Sequence, residues 1–306
     1  MSALRGFENI EAVEGGRVVA VGVFDGVHWG HRAIFEDVLR VAVERSQRPT
    51  ALTFDKHPAE LLVPDRAPHH INTLEQRVEL IKALGIEDAI VVEFDRELAS
   101  LTKDEFVRQV LIDALDTRHL VVGANFRFGK GRQGDVRFLS RTLPALRTEL
   151  TIVPAVIIAG GPVSSTRIRL LVGKGDVVGA ERLLGRPFAL RGTVGMGRQV
   201  GRTIGFPTAN IEAGPKQLVP AGGVYAVECR IGETTYAGVC NIGCRPTFDG
   251  GARTIEVHLA GFEGDVYGET LDVVFRRRLR DEIAFESPER LVEQIGKDLE
   301  KAVGDR

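Results

Sequence analysis

Two histidines three residues apart, in Gly22-Val23-Phe24-Asp25-Gly26-Val27-His28-Trp29-Gly30-His31, have the type and spacing to do chemistry. They follow a β-branched run, residues 18–22, and an amphipathic stretch begins at about Gly30, so they sit where a strand hands over to a helix. Such a helix start presents free NH groups and the positive end of a dipole, which favour a phosphate. Side chains three apart on a helix are neighbours, so both imidazoles can face one anion. For an isolated His-x-x-His the alternative is that one ring caps the helix and the other packs. A zinc site lacks partners, since only Asp25 offers a nearby ligand.

A second phosphate device lies at Gly195-Met196-Gly197-Arg198-Gln199-Val200-Gly201-Arg202-Thr203-Ile204-Gly205-Phe206-Pro207-Thr208-Ala209-Asn210. Neither a Gly-x-x-x-x-Gly-Lys-Ser/Thr loop nor the protein-kinase signatures occur in the chain. Backbone NH groups around Gly197 and Gly201, with Arg198 and Arg202, would wrap a nucleotide's phosphates. Thr208 and Asn210, two apart on a strand, would point to one side and are able to hold magnesium. Taken alone, the segment is a glycine-rich hairpin.

Together these motifs resemble the bacterial bifunctional riboflavin kinase/FMN adenylyltransferase family, also called FAD synthetase. His28-Trp29-Gly30-His31 has the His-x-Gly-His form of nucleotidyltransferases, and Ser164-Ser165-Thr166-Arg167-Ile168-Arg169 has their Ser-Ser-Thr-x-x-Arg form. Thr53-Phe54-Asp55-Lys56-His57-Pro58 and Gly123-Ala124-Asn125-Phe126-Arg127-Phe128-Gly129 are similar to two further segments, with Lys56 for the usual Pro and Asn125 for the Asp of many members. Pro207-Thr208-Ala209-Asn210 has the riboflavin kinase form. Asn241-Ile242-Gly243, Ile255-Glu256-Val257-His258-Leu259, Asp265-Val266-Tyr267-Gly268 and Leu279-Arg280-Asp281-Glu282 follow in the family's order, with Gly261 where an Asp is common.

The resemblance implies ATP and magnesium (Mg2+) in both steps, with riboflavin, FMN and FAD as substrate and products. It implies His28 and His31 as catalytic in adenylylation, and Phe24, Asp25, Gly26, Ser164, Ser165, Thr166 and Arg167 as ATP contacts. Asn125, Phe126, Phe128 and His57 would meet the flavin there. In the kinase, Glu256 would be the general base, Gly197, Arg198, Gly201, Arg202, Thr208 and Asn210 the ATP and metal contacts, and Arg280, Glu282 and Phe285 the flavin contacts. Two alternatives stand beside this reading. An adenylyltransferase with a non-catalytic flavin-binding barrel fits poorly with intact Thr208, Asn210 and Glu256. A transferase for another phosphate, such as pantetheine phosphate, leaves the second half unexplained.

The elements needed to position these residues are legible. Dense apolar runs at 18–22, 50–54, 89–94, 119–123 and 150–156 alternate with helical spacing, as in Ile34, Val38, Val41 and Leu74, Val78, Ile81, which specifies a Rossmann-like parallel α/β sheet. Thr73 with Gln76 and Thr102 with Glu105 form capping boxes. A helix over 176–184 ends at Gly185-Arg186-Pro187, where we set the boundary between domains 1–186 and 187–306. Short strands at 189–194, 224–230, 235–240, 254–259 and 271–275 then predict an antiparallel β-barrel. A C-terminal helix closes the chain, capped by Ser287 with Pro288 in its first turn and with Leu291, Ile295 and Leu299 on one face.

Composition bounds the function. With 40 Lys and Arg against 42 Asp and Glu, the net charge is −2, which speaks against a nucleic-acid binder. The run Arg276-Arg277-Arg278 is expected as a solvated strand end. Three cysteines without a CxxC pair predict reduced core thiols. Glutamates at 8, 11 and 14, and no long apolar run, point to a cytoplasmic enzyme of small molecules with no membrane partner; homo-oligomerisation stays open.

Overall fold

Strands buried on both faces must be apolar at successive positions, and Arg-Val-Val-Ala-Val at 17–21 is buried throughout. The computed structural model describes residues 4–7, 10–196, 206–244 and 253–304, and the chain divides into two compact units, Met1–Ser165 and Thr166–Arg306.

In the first unit, β1 (Leu4–Arg5), β2 (Arg17–Val21), β3 (Arg48–Phe54), β4 (Asp88–Val92), β5 (Thr117–Gly123) and β6 (Glu149–Val153) form a parallel sheet in the order β1-β4-β3-β2-β5-β6. The five foreseen strands are present; the edge strand β1 was not foreseen, because two residues carry no pattern. Alternate side chains feed two cores. Val18 and Ala20 join Phe35, Val38 and Val41 of α1 (Trp29–Arg45), whereas Val19 and Val21 join Val107 and Leu111 on the other face. Each Val, Leu or Phe among these, fully buried, stabilises the fold by roughly 1.5–3 kcal/mol.

Strand order reverses at β2, with β3 on one side and β5 on the other. The crevice outside the carboxyl ends at such a switch point is where open α/β sheets bind ligands. The segments beginning at Gly22, Asp55 and Ala124 leave from the carboxyl ends of β2, β3 and β5. Between β3 and β4 lie α2 (Pro58–Leu62) and α3 (Leu74–Ala83); α3 starts on the foreseen Thr73–Gln76 capping box, and Thr102–Glu105 forms its own.

The second unit has α4 (Ser165–Gly173), whose first residue closes the first unit, and α5 (Val177–Leu184), capped by Asp176 and ended by Gly185 at φ 70°. Six strands follow: β7 (Phe188–Gly195), β8 (Ala209–Ala213), β9 (Gly223–Ile231), β10 (Thr234–Cys244), β11 (Arg253–Leu259) and β12 (Thr270–Arg280). They close an antiparallel barrel in the order β7-β8-β11-β10-β9-β12. Phe188, Tyr225 and Phe275 fill it, their rings 5.3–5.8 Å apart. The helix α5 packs on β7 and β12, and α6 (Pro288–Gly304) packs on β9 and β10.

The basic run lies in the solvent-accessible last part of β12, as expected, but the strand runs past it to Arg280 because β9 pairs with it as far as Val224. Arg276 meets Glu228 at 2.6 Å, Arg277 donates to the Lys301 carbonyl, and Arg278 donates to the Gly222 carbonyl and to Asp281. Cys229 and Cys240 are buried free thiols, and burial pushes Cys229 up to about 12. Among the described residues no helix is long and apolar enough to cross a membrane.

Candidate active sites

The loop between β2 and α1 is bent sharply: Phe24 (φ 50°), Gly26 (φ 90°) and Val27 (φ 38°) lie in the left-handed region, and Val27 N donates to the Phe24 carbonyl at 3.1 Å. For a β-branched residue that conformation is an outlier, held only where the surroundings over-determine it. The turn delivers His28 to the N-cap of α1, with His31 one turn on, and their rings stack at 3.6 Å with 17° between planes. Phe24 packs edge-on to His31 at 5.3 Å. Gly30 leaves room for His28, since a Cβ there would stand 3.2 Å from the imidazole Cε1. Two imidazoles at a helix start can stabilise negative charge building on a phosphate.

The neighbouring segments converge on this loop. Ser165 Oγ donates to the Asp25 carbonyl at 2.8 Å, joining the two nucleotidyltransferase motifs. The buried Asp25 carboxylate accepts from Ile71 N and Asn72 N at 3.0–3.2 Å. His57 is the N-cap of α2, its Nδ1 accepting from Ala59 N while Glu60 accepts from its backbone NH and from His70 Nε2. Asn125 is exposed beyond β5, Phe126 is half-buried and stacks on Phe128 at 5.4 Å, and Phe128 is core. Ser164 is half-buried, and Thr166 and Arg167 fall in the first turn of α4, in the second unit.

In the barrel, the strand register draws one line of side chains. Asn210 pairs with Glu256, Glu256 with Asn241, Asn241 with Val224 and Val224 with Arg280, so a single rung crosses β8, β11, β10, β9 and β12. Directly paired residues share a face. It is the outer one, because Ile255, Val257 and Leu259 point inward and are buried. Beneath α6 this face forms a cavity of about 210 Å³ lined by Thr208, Asn241, Glu256, Arg280, Glu282 and Phe285, among others. An apolar wall with a few convergent polar groups is the usual make-up of a small-molecule pocket. His258 Nδ1 sits 2.7 Å from the Pro207 carbonyl and fixes the segment leading to Thr208. Gly197, Arg198, Gly201 and Arg202 lie outside the described residues.

The comparisons with known proteins agree across both units. Residues 10–167 match the FAD synthetase family and residues 184–304 the riboflavin kinase family. The bifunctional riboflavin kinase/FMN adenylyltransferases of Escherichia coli and Bacillus subtilis are 38% and 37% identical to this chain, over 97% and 94% of it and 96% and 91% of their own lengths. The chain belongs to the bifunctional riboflavin kinase/FMN adenylyltransferase family. It carries both catalytic domains. A crystal structure from Streptococcus pneumoniae, described as a macrolide-efflux protein, superposes with a TM-score of 0.89 at 33% identity over 99% of each chain.

Asn241 and Asp298, two polar residues of the cavity, were not assigned to a site from the sequence. Asn241 was quoted only as part of a motif; its signal is a polar side chain between the buried Cys240 and Ile242. Asp298, on α6, is buried and grips Arg280 at 2.8–2.9 Å, with Gln294 Nε2 donating to its other oxygen at 3.0 Å, while Arg280 lies 5.9 Å from the Phe285 ring centroid. The signal was an Asp in phase with Leu291 and Ile295.

Proposed function

We propose that His28 and His31 carry the adenylylation of FMN and that Glu256, with Thr208 and Asn210, carries the phosphorylation of riboflavin. The enzyme phosphorylates riboflavin to FMN with ATP and adenylylates FMN to FAD with release of pyrophosphate. In the first step the riboflavin 5′-hydroxyl oxygen attacks the γ-phosphorus, its proton passes to the Glu256 carboxylate, and ADP leaves. A positioned base of this kind contributes about 10²–10⁴ in rate. In the second, an FMN phosphate oxygen attacks the α-phosphorus and the bond to the β-phosphate breaks. The stacked imidazoles stabilise the charge that builds on the α-phosphate, worth on the order of 10²–10³ per donor.

The observation that supports the kinase assignment is the rung itself: Glu256 between Asn210 and Asn241, with Arg280 at its far end over the same cavity. The Thr208 hydroxyl and the Asn210 carboxamide oxygen fit a magnesium ion shared with ATP phosphates, which takes few protein ligands and no all-protein cage. Among the described residues no group of three His, Cys, Asp or Glu side chains could hold a metal alone. That ion would neutralise phosphate charge. Arg280, Glu282 and Phe285 would hold the flavin, and in the first site Asn125 and Phe126 would do so. We set the functional boundary at 186/187, so that Thr166 and Arg167 serve the first site together with Ser165. Partners are small molecules, and both steps are cytoplasmic.

The test is chromatography of products from riboflavin, ATP and magnesium. His28→Ala should stop at FMN, and Glu256→Gln should form FAD only when FMN is supplied. Loss of both activities from either single change in a folded protein would refute the assignment.

A further inference from the structure

Charged side chains are rarely wholly buried without a task, and Arg77 of α3 is the largest fully buried side chain, 1% exposed. Its Nη1 donates to the Val23 carbonyl at 2.6 Å and to Thr53 Oγ1 at 3.3 Å, and Thr53 Oγ1 itself donates to that carbonyl at 3.1 Å. Val23 is the last residue before the left-handed turn at Phe24, and Thr53 opens the Thr-Phe-Asp-Lys-His-Pro segment at the end of β3. The same helix reaches the turn a second way, since Ile71 and Asn72, just ahead of its Thr73 cap, hold the Asp25 carboxylate. Val23, just ahead of the strained turn, is therefore tied to α3, and Asp25, inside the turn, to the segment that leads into α3; Asp25 lies two residues before Val27 and three before His28.

We infer that Arg77 is a positioning residue for adenylyl transfer: it clamps the β2–α1 turn so that His28 and His31 are held at the reacting phosphate. The guanidinium has no route to substrate, as it is sealed in the core between the two loops. Burial lowers its pKa, while the Asp25 and Asp55 carboxylates nearby oppose that shift. A turn with Val27 at φ 38° relaxes once its carbonyl anchor is lost, and a histidine displaced at the N-cap costs turnover rather than binding, because misplacement by about 1 Å costs on the order of 10² in rate.

This inference rests on the assignment of His28 and His31 to adenylyl transfer, and the full chain tests both in one preparation, with the kinase step as an internal control for the second unit and thermal unfolding for the first. Arg77→Met should lower kcat for FAD formation from FMN about 10–10²-fold, with KM for ATP and FMN and the rate of FMN formation each within about threefold. Arg77→Lys, which keeps charge but not the fork of donors, should recover part of the loss. The decisive readout is a cycle with His28→Ala, whose residual FAD formation is followed over long incubations. If Arg77 acts through the histidines, Arg77→Met should cost less than about threefold in that background.

An equal cost in both backgrounds, a parallel fall in the kinase rate, or an unchanged kcat would overturn the inference while leaving the histidines in place. Full FAD formation by His28→Ala alone would overturn the histidine assignment and the inference with it. Should Arg77→Met fail to fold, Thr53→Val removes the hydroxyl that braces the direct Arg77–Val23 bond by bonding to both groups, with little change of volume. It should lower the same kcat about 3–10-fold, and no loss there would overturn the clamp.

Discussion

Gly30→Ala separates the geometry of the first site from the stability of the protein. A Cβ at residue 30 would meet His28 Cε1 at 3.2 Å and Nδ1 at 3.3 Å, whereas unstrained carbon contacts lie at about 3.5–4.0 Å. The imidazole must yield by roughly 0.3–0.5 Å, and it is not free to do so, because His31 is stacked on it at 3.6 Å. If about 1 Å of misplacement costs 10² in rate, a logarithmic share of that loss gives a kcat for FAD formation about 4- to 10-fold lower. Stability should change little, since the roughly 0.5–1 kcal/mol that alanine gains over a helical glycine is offset by the crowding at His28. Initial rates of both steps and the thermal midpoint, measured on one preparation, read these effects together. A kcat for FAD formation within 1.5-fold of wild type (roughly, the error of such rates) in a protein at least as stable would refute the idea that Gly30 exists to seat His28. An equal drop in the kinase step would point to global damage instead.

Asp298→Ala should act on the other site: with its partner removed, Arg280 is left at a cavity wall where it is only 21% exposed, and breaking such a pair costs about 2–4 kcal/mol. The KM for riboflavin should rise severalfold while adenylylation of supplied FMN is unchanged, as followed by product chromatography. His119 gives a pH effect. Desolvation lowers its pKa more than the neighbouring Glu149 raises it, with Arg45 and Arg40 also lowering it, and its Nε2 lies 2.7 Å from Thr151 Oγ1. A group whose folded pKa is depressed binds fewer protons in the native state, so its contribution is intact above the unfolded value near 6.5 and is lost as pH falls through the lower folded value. Thermal midpoints measured downward from neutral pH should therefore fall less steeply for His119→Gln, and identical slopes would exclude a part for His119.

Much of this was legible from short-range pattern. The strands of the first sheet and of the barrel announce themselves as apolar or alternating runs because burial is decided strand by strand, and Thr73–Gln76 and Thr102–Glu105 announce helix starts because a capping box is a local exchange of two hydrogen bonds. β12 ran further than its apolar core, since Arg276 to Arg280 are held by partners supplied from β9 and α6 rather than by anything in their own sequence. His57 was placed near flavin by motif. What fixes its ring is the start of α2, a capping box whose cap is a histidine and which the usual Ser/Thr pattern does not reveal. The rung from Asn210 to Arg280 could not be read at all, because register across five strands is a property of the closed barrel.

Arg77 and Asp298 show what kind of signal was nevertheless present. Each is an ionisable residue in the apolar phase of an amphipathic helix, Arg77 among Leu74, Val78 and Ile81, and Asp298 in step with Leu291 and Ile295. A buried charge there is costly unless it is met by a partner across the interface, and the partner must come from the surface on which the helix lies. For α3 that surface is the turn after β2; for α6 it is the end of β12 that borders the cavity. Both helices are thus fastened at the points where a site needs a fixed wall, and a helix held only by apolar contacts could slide along the sheet at small cost. A charge in the apolar phase of its helix therefore predicts which helix is fastened across an interface, even before its partner is known.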